Sequence, residues 1–326
     1  MPATGTTAGI TAGQEPAKRD RGLRWPAEII AATSVSLISG AAGLAHQVLW
    51  TRRLVDVLGA TSLTFSKVVG AFFLGLALGG WIASRWRIHR NPWFAVVTAE
   101  LLTAVFALPV LWLPQGLQFL PPSVVAAVRL RLLLPLIFIV PPALCMGLVL
   151  PSLVRVLDPR LASRQAVLIY SLNILGGICG IVLLLLYTLP SLGTARSGLL
   201  AVSLNLAIAG VALVAAKKRI GRAVATFAVD PEIPGSGRVP FKAVALAFIS
   251  GMLILGSEVV LQHQFAQITI NSFFSNVSVL ALVLLGLGLS ALLLPIYERS
   301  IPERMQLPMA LTAAAVVFAA QPSIMG

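Results

Sequence analysis

The chain has 326 residues, 58% of them hydrophobic and only 11% charged, with a mean hydropathy of +0.93. A soluble domain of this size needs far more polar surface to cover its core, so this composition excludes a water-soluble protein and predicts an all-α polytopic membrane protein. The net charge of +13 is read as basic loops that set membrane orientation rather than as a nucleic-acid footprint, and no nucleic-acid partner is expected.

Residues 1–27 are Gly-, Thr- and Ala-rich and then basic (Lys18, Arg19, Arg21, Arg24), which predicts a disordered tail with an anchoring charge cluster. Apolar spans follow near 28–50, 61–84, 93–113, 130–154, 167–189, 197–216, 241–263, 274–296 and 306–321. They predict about nine helices, by the roughly 20 residues that a bilayer crossing requires. Pro135, Pro141, Pro142 and Pro151 predict a kink in the fourth span. The first span is too long for a signal-peptide core, and its phrase recurs mid-chain, so it is expected to be retained.

Most of the 24 Lys and Arg fall in alternate loops, which places the amino terminus in the cytoplasm and the chain in the cell (inner) membrane. Residues 28–216 then form a six-helix unit. Residues 217–240, with KKRIGR and DPEIPGSGRVP, form a flexible cytoplasmic linker, and residues 241–326 hold about three further helices. Cys145 and Cys179 lie in apolar runs without metal-ligand spacing and are read as small buried hydrophobes; no metal and no cofactor is expected.

Sliding the chain against itself by 211 positions aligns SGAAGLAHQVLWTRRL (39–54) with SGMLILGSEVVLQHQF (250–265) without a gap. Ser39 and Gly40 meet Ser250 and Gly251, and Leu74, Gly75 and Leu76 meet Leu285, Gly286 and Leu287. Both copies start on the same side of the membrane, so this is a parallel repeat. It resembles one six-helix half plus an incomplete second half of a major-facilitator-like fold. Small residues four apart (Gly75 and Gly79, Gly176 and Gly180, Ser39 and Gly43, Gly286 and Ser290) predict close helix packing.

The stretches GLAHQVLWTRRLVDVLG, TFSKVVGAFFLGLALGGWIASRW, PPALCMGLVLPSLVR and IYSLNILGGICGIVLLLLYTLPSLG occur in one order. In that order they resemble the membrane domain of the fused major-facilitator/spermidine-synthase family. The likeness covers most of 36–216 and, more weakly, 248–290. It retains Trp50 and Arg52, but has His46-Gln47 where the family usually carries Tyr-Glu. The family's soluble aminopropyltransferase domain has no counterpart here: GSG at 235–237 stands in a proline-flanked linker, not in a strand–turn–helix. The chain by itself is therefore not expected to be a spermidine synthase.

Glu258, deep in the seventh span, is the leading candidate for proton coupling or for binding a cation, against the alternative of a satisfied interhelical hydrogen bond. Glu100 and Lys67 are candidates too, either paired across the bundle or with Lys67 extended to the outer face. Gln47 can hydrogen-bond but not titrate, and Asn173 either lines a cavity or bridges helices. Trp50 and Arg52, followed by Arg53 and Asp56, read as interfacial anchors, with a role in substrate entry as the alternative that the family resemblance implies. His46 and His263 lack a metal-ligand partner.

Two functions are expected. One is a transporter-like protein, in contact with the lipid bilayer, that binds or moves a small cationic, polyamine-like metabolite. The other is a membrane anchor, scaffold or amino-terminal membrane portion of a spermidine-synthase-like aminopropyltransferase, with a separate enzyme of that kind as the partner.

Overall fold

The computed structural model describes residues 27–85, 91–119, 128–156, 162–223, 241–268 and 273–302, with a few positions at 121, 123 and 304–312. The basic tail, most of the 217–240 linker and most of the 306–321 span lie outside the described residues.

Among the described residues the chain is helical throughout, without a strand. The elements are α1 (Ala27–Leu58), α2 (Ser62–Arg85), α3 (Pro92–Leu111), the short α4 (Leu113–Leu117), α5 (Val128–Val154), α6 (Ala162–Leu183), a π-helical turn (Leu184–Thr188), α7 (Leu189–Ala223), α8 (Phe241–Ile268) and α9 (Phe273–Ser300). Among the described residues six stretches are long and apolar enough to cross a membrane, and Asn276–Ser290 is a shorter apolar helix. The longest of the six, Gln165–Lys218, contains two expected spans. Gly193, with φ 73°, interrupts it in a conformation that costs a residue with a side chain.

Local sequence accounts for the better-defined ends. Asn91 caps α3, its side-chain oxygen accepting from Trp93 N at 3.1 Å with Pro92 as the first helical residue. The same side chain donates to the Ala216 carbonyl at 3.0 Å, which ties the start of α3 to α7. At the other end of α2, the Arg155 guanidinium donates to the Ala83 carbonyl. Four prolines lie inside α5, and the helix runs continuously through them.

The helices pack in a fixed pattern. α2 lies along α5, α1 along α6, and α3 against both α5 and α7, while α1 also touches α7. Glycines make these approaches possible. A methyl group built on Gly79 would overlap the Leu144 carbonyl, one on Gly75 would reach the Ala143 side chain, and those on Gly176 and Gly180 would overlap the Leu37 and Ala41 carbonyls. Gly40 faces the Asn173 carbonyl in the same way. Polar ties add to this contact, with Ser36 Oγ donating to the Ile169 carbonyl at 2.7 Å and Asn173 Nδ2 to the Ser36 carbonyl at 3.1 Å.

The two copies of the repeated phrase occupy corresponding helices but different surroundings. α2 starts at Ser62 and α9 at Phe273, 211 positions on. α9 packs on α6 and α8, whereas α8 touches little beyond α9 and α2. Gly251 and Gly286, the counterparts of Gly40 and Gly75, have nothing within 4 Å of a built methyl. The packing expected of Gly286 is therefore absent among the described residues, because no described helix covers that face. Cys179 also departs from expectation: it is exposed, and Cys145 alone is buried.

Candidate functional site

A cavity of about 380 Å³ opens between α1, α2, α5, α6 and α9. Most of its wall is apolar, including Phe72, Met146, Leu280 and Leu284, and its polar side chains are those of Ser39, Gln47, Tyr170 and Asn173. A small number of polar groups in an otherwise apolar concavity is the usual composition of a small-molecule site.

Gln47 is the unusual member. It is 1% exposed, yet among the described residues neither Nε2 nor Oε1 has a hydrogen-bond partner. A buried amide left without partners costs about 1–3 kcal/mol. Next to it in sequence, His46 is fully buried with its ring stacked on Trp50, centroids 5.1 Å apart.

Behind the cavity wall runs a continuous polar chain. Ser39 Oγ donates to Glu100 Oε1 at 2.7 Å, Asn205 Nδ2 donates to Glu100 Oε2 at 2.6 Å, and Asn205 Oδ1 lies 2.8 Å from His46 Nε2. Since the Asn205 amine is turned to Glu100, its carbonyl faces the imidazole, and Nε2 carries the hydrogen in this arrangement. Glu100, Asn205 and His46 are each at most 1% exposed. Ser39 is the link between this chain and the cavity.

The candidates read from sequence divide accordingly. Gln47 and Asn173 line the cavity, and Glu100 stands one hydroxyl behind it. Glu100 does not pair with Lys67: its oxygens are taken by Ser39 and Asn205, while Lys67 is half-buried on α2. Glu258 is buried on α8, where Gln262 Nε2 donates to it at 3.2 Å from one turn on. It does not line the cavity.

Trp50, expected at the membrane interface, is fully buried among Leu54, Phe72 and Leu134, and α1 continues two turns past it to Leu58. Arg52 stands over the Phe273 ring at 5.4 Å, at the start of α9, and Arg53 lies 3.7 Å from Asp56. Among the described residues no group of three His, Cys, Asp or Glu is placed to hold a metal.

Ser39, His46 and Asn205 were not identified as parts of a site from the sequence. Asn205 had a signal, being a carboxamide inside the apolar run 197–216; Ser39 had none, since it reads equally well as a small packing residue.

Compared with known proteins, the chain is 25% identical over 175 residues to a polyamine aminopropyltransferase of Leptospira interrogans. That match covers 53% of this chain and 33% of the relative, so it spans about a third of the relative's length. No family model matches the chain, and no solved structure matches it significantly.

Proposed function

We propose that the chain is a membrane-embedded helical bundle that holds a small cationic metabolite of the polyamine class in the cavity between α1, α2, α5, α6 and α9. The observation that carries this reading is the buried, unpartnered amide of Gln47 in the cavity wall. A ligand that donates an N–H to Oε1 supplies the Gln47 carbonyl oxygen with the partner it lacks among the described residues. A polyamine supplies N–H donors along an aliphatic stem, which suits the sparse polar groups and the apolar remainder of the wall. Glu100, one hydroxyl away, adds a carboxyl group in range of a cation's field.

Equilibrium binding of labelled spermidine to the detergent-solubilised protein tests this reading. Wild type is expected to bind, and Gln47→Leu to bind at least about tenfold more weakly, the loss of one good hydrogen bond to a charged group. Equal binding by the two proteins would remove the basis of the proposal. Uptake of the same label into proteoliposomes then separates a protein that moves its ligand from one that only holds it.

A second reading has its own support. The likeness to a polyamine aminopropyltransferase over 175 residues favours a role as the membrane portion of an enzyme system of that kind, with the cavity serving its substrate or product. Co-purification under mild detergent with an aminopropyltransferase activity is the expected result there, and a chain that always emerges without such activity would speak against it.

A further inference from the structure

From the chain Ser39–Glu100–Asn205–His46 we infer that Glu100 binds and releases one proton in exchange for the cation held in the cavity, with the Ser39 hydroxyl as the proton's path. The inference rests on the cavity reading above and adds a proton site to it.

The geometry permits two complete hydrogen-bond arrangements that differ by one proton. In the first, Glu100 is ionised: Ser39 Oγ–H donates to Oε1 at 2.7 Å and Asn205 Nδ2–H donates to Oε2 at 2.6 Å. The Ser39 oxygen then turns its lone pairs toward the cavity that it lines, ready to accept from an N–H of a cation. In the second, the proton sits on Oε1 and is donated back to Ser39 Oγ, whose own hydrogen swings toward the cavity. There it opposes a donor ligand. Neither arrangement requires any other side chain to move.

The transfer between them balances. When the cation leaves, a hydronium ion of the solvent that replaces it gives H⁺ to Ser39 Oγ as Ser39 passes its hydrogen to Glu100 Oε1; serine is regenerated, the carboxylate becomes a carboxylic acid, and water remains. When a cation enters, Glu100 returns the proton to Ser39 Oγ, whose own hydrogen passes to a solvent water, and that water leaves the cavity as hydronium.

Asn205 and His46 are positioning residues. His46 Nε2 engages Asn205 Oδ1 at 2.8 Å, which keeps the Asn205 amine on Glu100 Oε2 and reserves Oε1 for Ser39. The ring itself is held by stacking on Trp50.

The electrostatic surroundings enforce the exchange. α1, α5 and α7 pack against α3. From α1, His46 faces the set through Asn205, while Glu28, Arg52, Arg53 and Asp56 stand near the helix ends. Among described side chains α5 offers only the Cys145 thiol, with Arg155 just past its end and bonded to the Ala83 carbonyl. On α7, Arg196, Lys217 and Lys218 lie two turns or more from Asn205. No described cation pairs directly with Glu100. A carboxylate with two neutral donors but no cation beside it is costly in an apolar interior, so Glu100 keeps its proton while no cation is held and can release it when one is.

Spermidine is the probe, with the protein in weakly buffered detergent and a soluble pH indicator. Wild type is expected to release about one proton per spermidine bound, and its affinity to rise about tenfold per pH unit while Glu100 is protonated. Glu100→Gln should release none, and Asn205→Leu should displace the pH profile of release, which a merely structural asparagine would leave in place. Binding by wild type without proton release overturns the exchange while leaving the cavity reading intact. Infrared difference spectra of ligand-free wild type against Glu100→Gln decide the point even if spermidine does not bind and the cavity reading fails. A carboxylic-acid carbonyl band from Glu100 is expected, and a carboxylate band in its place overturns the inference.

Discussion

Gly40 on α1 lies directly beneath the backbone carbonyl of Asn173 on α6, with no room between them for a methyl group. Its counterpart 211 positions on, Gly251, faces nothing within 4 Å among the described residues. Gly40→Leu is therefore expected to separate α1 from α6 and cost at least about 1–3 kcal/mol, the usual price of overpacking. Gly251→Leu should be nearly neutral among the same contacts. Thermal unfolding of both variants in detergent checks this, and equal losses would mean that the Gly251 face is covered in the intact protein.

Gln47→Leu should raise stability while weakening ligand binding. Among the described residues the amide has no partner to lose, and leucine removes a buried unsatisfied group that costs about 1–3 kcal/mol. A large fall in melting temperature would show instead that Gln47 holds the helices together.

Asn205→Leu should destabilise by about 1–3 kcal/mol, because it strips a donor from Glu100 Oε2 and an acceptor from His46 Nε2. Combining it with Glu100→Leu should cost less than the sum of the two single changes, since the second removes a group that the first has stranded. Strict additivity in a double-mutant cycle would show that the hydrogen bond contributes nothing.

Gly193→Ala is expected to cost about 1–3 kcal/mol, because φ 73° with ψ 176° is a backbone region essentially reserved for glycine. The built position has open space around it, so the effect is purely conformational. An unchanged melting temperature would mean that the break between the two halves of Gln165–Lys218 relaxes to an ordinary helix.

Much of the helix layout was legible in the sequence because apolar run length is a direct physical requirement, and the runs at 61–84, 93–113 and 130–154 correspond to α2, α3 and α5. The end of α1 was not legible: the apolar run stops at Trp50, yet the helix continues to Leu58, and Trp50 is packed against neighbouring helices. Gln47 was recognised for lacking a titratable proton, which understated it; only the structure shows the amide unpaired in a cavity wall. Glu100 was recognised as an expensive buried charge, but its partners come from α1 and α7, sixty-one and 105 positions away, and no local pattern encodes such pairings. Glu258, the most conspicuous acid by the same reasoning, lies elsewhere and meets Gln262 one turn along its own helix.

The most direct test of the central claim places a reporter in the cavity itself. Gly43 lines it, and a side chain there meets only Met146 Sδ, at an ordinary 3.8 Å. With Cys145 and Cys179 replaced by alanine, Gly43→Cys gives a single thiol whose alkylation rate by a small maleimide can be followed with and without spermidine. Saturating spermidine is expected to slow labelling several-fold, and adding Gln47→Leu to abolish the protection. Labelling at the same rate with and without spermidine would contradict that claim.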